Sequence, residues 1–85
     1  MVRYYEDKNT GEISVGVSEN RKSEVNWLTS GRVELDYTSS ITAGAKKRYN
    51  VYMGNKFLTS IIGTKKEAKD ILKRHLERFA LSYRR

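Results

Sequence analysis

The hydrophobic periodicity of this chain changes character once, at Gly63, and that single change limits the folds open to it. Before Gly63, apolar and polar residues alternate in short runs. Ile13, Val15 and Val17 alternate with Glu12, Ser14 and Gly16, and Val33, Leu35 and Tyr37 with Arg32, Glu34 and Asp36. Period-two alternation is the pattern of a half-buried strand. After Gly63, Ala68, Leu72, His75, Leu76, Phe79 and Tyr83 recur at helical spacing, and Ile71 widens the stripe. Thr64-Lys65-Lys66-Glu67 forms a capping box, in which the threonine caps and the glutamate reaches back. The spacing predicts a helix from Lys65 to about Leu81. Strands first and one helix last imply an α+β fold: an antiparallel sheet of about five strands with one C-terminal amphipathic helix packed on one face.

The strands can be placed more closely. Val2–Glu6 and Glu12–Val17 flank the turn Asp7-Lys8-Asn9-Thr10-Gly11 and read as a hairpin. Ser18–Ser23 reads as a loop, and Val25-Asn26-Trp27-Leu28 is too short to classify. Thr38–Ala45 is a Ser-, Thr-, Gly- and Ala-rich connection into a basic cluster. Arg48–Met53 and Lys56–Ile62 flank Gly54-Asn55, a two-residue loop suited to a II′ turn. This loop predicts the cross-strand pairs Tyr52–Phe57, Val51–Leu58 and Tyr49–Ser60. Tyr49, Val51, Met53, Leu58 and Ile62 would then lie under the helix, with Arg48, Asn50, Tyr52, Phe57, Thr59 and Ile61 on the opposite face.

At 85 residues the chain is expected to be a single domain. It has no cysteine, so no disulfide or thiolate metal site can brace it. From the mixed start Val2-Arg3-Tyr4-Tyr5 no signal peptide is expected, and no apolar run approaches the roughly 20 residues of a spanning helix. A cytoplasmic protein is expected (host-cell cytoplasm for a viral chain), without a membrane partner. Chemistry-bearing patterns are sparse. His75 is the sole histidine and falls beside the apolar stripe, whereas zinc sites gather three or four ligands. No Gly-x-Ser-x-Gly elbow and no phosphate-binding P-loop occurs. We therefore expect neither an enzyme nor a cofactor. An unpaired edge strand such as Val2–Glu6 offers a route to a homodimer.

The charge is the main functional clue. The net charge is +7, but residues 1–42 carry five basic against seven acidic side chains, and residues 43–85 carry twelve against three. The first part is strand-rich and near neutral; the second is a basic hairpin–helix. Such a field favours a polyanion or an acidic surface as partner. Lys65, Lys66 and Lys69 fall in the first turns of the helix, where positive charge opposes the helix dipole at a cost of about 0.3 kcal/mol or more each. Lys73 and Arg74 extend the charge outward, and Lys46, Lys47, Arg48 and Lys56 add to it from the hairpin. Asn50 and Tyr52 accompany Arg48 on one strand face, a mixture able to read a groove or stack on bases. A solvated lysine face is the plain alternative for the helix taken alone, and the hairpin cations favour the binding reading over it.

Residues 48–80, with strand, short turn, strand and then Gly63-Thr64-Lys65-Lys66-Glu67-Ala68-Lys69, resemble the C-terminal half of a double-stranded-RNA-binding domain. That resemblance implies that Lys65, Lys66 and Lys69 grip phosphates. The segment is also similar to the three-strand-plus-helix DNA readers of the ethylene-response-factor and integrase arm-binding kind, which implies a sheet laid in the major groove. Residues 1–42 read as strands where the first family has a helix, and the second family's aromatic before the helix cap is missing at Gly63-Thr64. The expectation is a non-enzymatic nucleic-acid-binding protein, with duplex DNA ahead of RNA, that contacts phosphates through the basic hairpin–helix. The alternative is a small basic modulator, such as a phage-type or accessory regulator, docking on an acidic protein surface.

Overall fold

A computed structural model of the chain describes residues 1–36 and 47–83. The expected Thr38–Ala45 connection, Lys46 and the last two arginines lie outside the described residues. The elements are β1 (Val2–Glu6), β2 (Ile13–Val17), β3 (Asn26–Leu35), β4 (Lys47–Met53), β5 (Lys56–Gly63) and α1 (Lys65–Tyr83). The five strands form one antiparallel sheet in sequential order, and α1 packs on one face of it. The α+β architecture expected from the change of period is the one observed. The segment too short to classify, Val25–Leu28, contributes the start of a ten-residue β3 that pairs β2 with its first half and β4 with its second.

Local chemistry accounts for the turns. Gly54 has φ 62 and Asn55 is not in the positive-φ region, the pattern of a II′ turn, which only glycine enters without strain. The Thr64 and Glu67 capping box also forms. Thr64 N donates to Glu67 Oε1 at 3.0 Å, and Glu67 N donates to Thr64 Oγ1 at 3.3 Å.

Packing brings two corrections. The buried helix residues are Ala68, Leu72, Leu76 and Ala80, whereas Phe79 and Tyr83 are exposed. A spacing of four drifts about 40° per step on a helix of 3.6 residues per turn, so the buried line slants away from those two rings. The second correction is in the β4–β5 hairpin. Tyr52 pairs with Phe57, as the turn demands, but the register then shifts and Val51 pairs with Thr59 and Tyr49 with Ile61. Leu58 is the extra residue of this bulge, and one inserted residue exchanges the faces of everything beyond it. Thr59 and Ile61 therefore turn toward the helix side, whereas Ile62 pairs with Arg48 on the opposite face.

The core consists of Ile13, Val15 and Val51 from the sheet against the four buried helix residues. Gly31 lies at its centre. A Cβ there would meet the Tyr52 carbonyl and stand 2.5 Å from Leu72 Cδ1, so the missing side chain is what lets the helix lie close on β3.

The helix also reaches the distant edge strand through polar contacts. Lys69 Nζ donates to Glu6 Oε2 at 2.7 Å, and Tyr4 Oη to Glu77 Oε2 at 3.2 Å. Partial burial, then the Glu77 hydrogen bond and charge, push the Tyr4 phenol from 10.0 up to about 12. A raised folded-state pKa gives stability that is complete below the unfolded value and lost as pH rises through the folded one. The fold should thus lose stability from pH 10.0 to about 12 on account of Tyr4, and Tyr4→Phe should flatten that loss in denaturant titrations. An identical alkaline slope in the variant would count against this contact.

Candidate nucleic-acid interface

Strand alternation decides which side chains share a surface. Opposed residues in antiparallel strands point to the same face. With Val15, Gly31 and Val51 under the helix, the opposite face carries Arg3 and Tyr5 from β1, Ser14 and Gly16 from β2, and Trp27, Arg32 and Glu34 from β3. From β4 and β5 it carries Arg48, Asn50, Tyr52, Phe57, Ser60 and Ile62. The N-terminal hairpin lies across β3 from the C-terminal one in the same sheet rather than over it, so this face is not covered by any described element. Tyr5, Trp27, Phe57 and Ile62 are each about half exposed on it.

The face has internal order. Tyr5 and Trp27 meet edge to face with centroids 6.3 Å apart, and Tyr52 and Phe57 do the same at 5.7 Å. The Arg32 guanidinium lies 4.5 Å from the Tyr52 ring centroid while pairing with Glu34. Arg48 is half-buried, and its Nε is buried with no hydrogen-bond partner among the described residues. An unsatisfied donor of this kind costs about 1–3 kcal/mol unless something accepts from it.

The eleven residues singled out from the sequence do not form one site. Lys46 lies outside the described residues. Lys47 pairs with Gly63 and Arg48 with Ile62, and only Thr64 separates β5 from the helix. Lys47, Arg48, Lys65 and Lys66 are therefore gathered at one end of the molecule, and Lys47, Lys65 and Lys66 are exposed. Arg48 links this end to Asn50 and Tyr52 on the open face. Lys56 sits at the opposite end of the hairpin, beside the turn. Lys69 is held by Glu6. The hydrogen bond from Lys69 and then its charge keep the Glu6 carboxyl below the usual carboxylate range, with Lys73 and Lys65 adding to the effect. Lys73 and Arg74 are exposed farther along the helix, on the side of the sheet away from Asn50 and Tyr52. Asn50 and Tyr52 of the hairpin are thus separated by the sheet itself from Lys69, Lys73 and Arg74 of the helix.

No family model, curated protein or solved structure matches the chain. Two further observations bound the chemistry. No described helix is long and apolar enough to cross a membrane. Among the described residues, no group of three or more His, Cys, Asp and Glu side chains comes together as metal ligands would.

Phe57, expected on the face of Arg48, Asn50 and Tyr52, lies there, whereas Arg3, Tyr5, Trp27 and Arg32, which also belong to the open face, had drawn no functional reading. The signal that could have found them is the odd-numbered alternation of Arg3 and Tyr5 in β1, combined with a single sheet that includes both hairpins.

Proposed function

We propose that this chain is a non-enzymatic nucleic-acid-binding protein whose contact surface runs from the basic end at Lys47, Arg48, Lys65 and Lys66 onto the open face of the sheet. The observation that carries this reading is the uncovered sheet face itself, on which four aromatic rings are interleaved with three arginines. Cations supply phosphate contacts, which dominate affinity and carry little sequence information. Aromatic and amide groups on an adjoining surface then meet the bases. The net charge of +7 supports a polyanionic partner.

Binding to duplex DNA, duplex RNA and single-stranded DNA, measured side by side, tests the reading. If about six phosphates are neutralised, affinity for the preferred form should fall by roughly a thousandfold between about 50 and 200 mM salt. Failure to bind any of the three at low salt, with retention of one acidic protein instead, would replace nucleic acid by a protein partner.

A further inference from the structure

We propose that the corner of the open face formed by Tyr5, Ser14 and Trp27 is a stacking site for an unpaired nucleobase, so that the nucleic acid bound there is single-stranded. This rests on the nucleic-acid reading above and specifies the form bound. Tyr5 and Trp27 border a shallow depression floored by Ser14, with their rings inclined at 65°. An edge-to-face contact occupies one face of one ring and leaves the remaining ring surface available. Trp27 is 49% and Tyr5 59% exposed, so about half of each side chain is left uncovered by the described residues.

Trp27 pairs directly across from Gly16, and a Cβ on Gly16 would stand 3.0 Å from Trp27 Cε3. The missing side chain at Gly16 is what lets the indole lie against β2. A second aromatic pair, Tyr52 and Phe57, shares the face, opposite Arg32. Arg32 follows Trp27 by five positions in β3, one of them the bulged Leu28, so the two stand roughly 13 Å apart at strand rise. A strand of several nucleotides spans both stations, within the usual range of about four to sixteen nucleotides for single-strand-binding surfaces.

The choice of single strand follows from what each form of nucleic acid exposes. In a duplex the base faces are stacked on one another, and only groove edges and phosphates are accessible. Exposed protein rings gain little from such a surface. An unpaired strand offers planar faces together with charge, which matches rings interleaved with arginine. A purely apolar protein partner would leave Arg3 and Arg32 desolvated against it.

Trp27 is the only tryptophan, so its fluorescence reports on this corner alone. The full chain is titrated with a ten-nucleotide oligothymidine and with a blunt DNA duplex, and binding is followed in parallel by anisotropy of labelled nucleic acid. Oligothymidine should quench Trp27 saturably, and the duplex should quench it much less. Tyr5→Ala should weaken oligothymidine binding about tenfold, the effect of one lost stacking contact, and Tyr5→Phe should restore it. Oligothymidine that binds without changing Trp27 emission, and binds Tyr5→Ala as tightly as the parent, would overturn the stacking site while leaving nucleic-acid binding intact. Equal quenching by the duplex would overturn the preference for single strands. Absence of binding to both probes would remove the underlying function as well.

Discussion

Gly31→Val should destabilise the domain by about 3 kcal/mol, the upper end of the range for overpacking a filled core. In a domain of this size that corresponds to a fall in Tm of about 12–24 °C. The substituent would point into the space between β3 and α1, where the Tyr52 carbonyl and Leu72 already meet the glycine. Leu72 is fully buried and can turn only into other core atoms, and a backbone carbonyl in the centre of a sheet cannot yield without opening the ladder. Thermal melts of the variant beside the parent would measure the effect. A Tm within about 3 °C of the parent would mean that the helix does not lie on the sheet as described.

Reversing two charges at the basic end should have the largest effect on binding. Lys65→Glu combined with Lys66→Glu should lower affinity for nucleic acid by about 50- to 100-fold near 0.1 M salt and reduce the salt slope by about two, because each lysine lost removes one phosphate contact. Both side chains are exposed at the helix start, and the capping box runs through Thr64 and Glu67 instead. Circular dichroism should therefore show the fold retained. Gel-shift titrations across a salt series would decide the matter, and undiminished binding would remove these lysines from the interface.

The fold was legible from the sequence because each level of it has a local cause. Glycine and asparagine set the turn, threonine and glutamate set the cap, and the spacing from Ala68 to Leu76 set the covered face. The hairpin register was legible only as far as Phe57. The bulge at Leu58 is a choice between adjacent pairings that turn chemistry does not control. The adjacent pair Ile61-Ile62 does not reveal it, since one of two neighbouring strand residues faces away from the helix in either register. The interface was less legible still. Counting lysines grouped the residues by charge, whereas the sheet sorts them by parity. Lys69 and Asn50 are both polar residues of the hairpin–helix, yet one is paired with Glu6 on the helix side and the other faces away from the helix. Trp27 drew no functional reading because its strand could not be recognised until β2 and β4 were seen to share it.

The sequential strand order has a kinetic consequence. Every strand pairs with its immediate predecessor, so the whole sheet can zip together through short loop closures. Among the described elements beyond β2, the helix is the one that reaches back to the first strand, through Tyr4 with Glu77 and Glu6 with Lys69. These two contacts act as a latch: they close the longest loops, belong to exposed groups, and so form last and open first. Hydrogen exchange should accordingly be fastest, within regular structure, along β1 and the end of the helix, while β3 and β4 protect their amides longest.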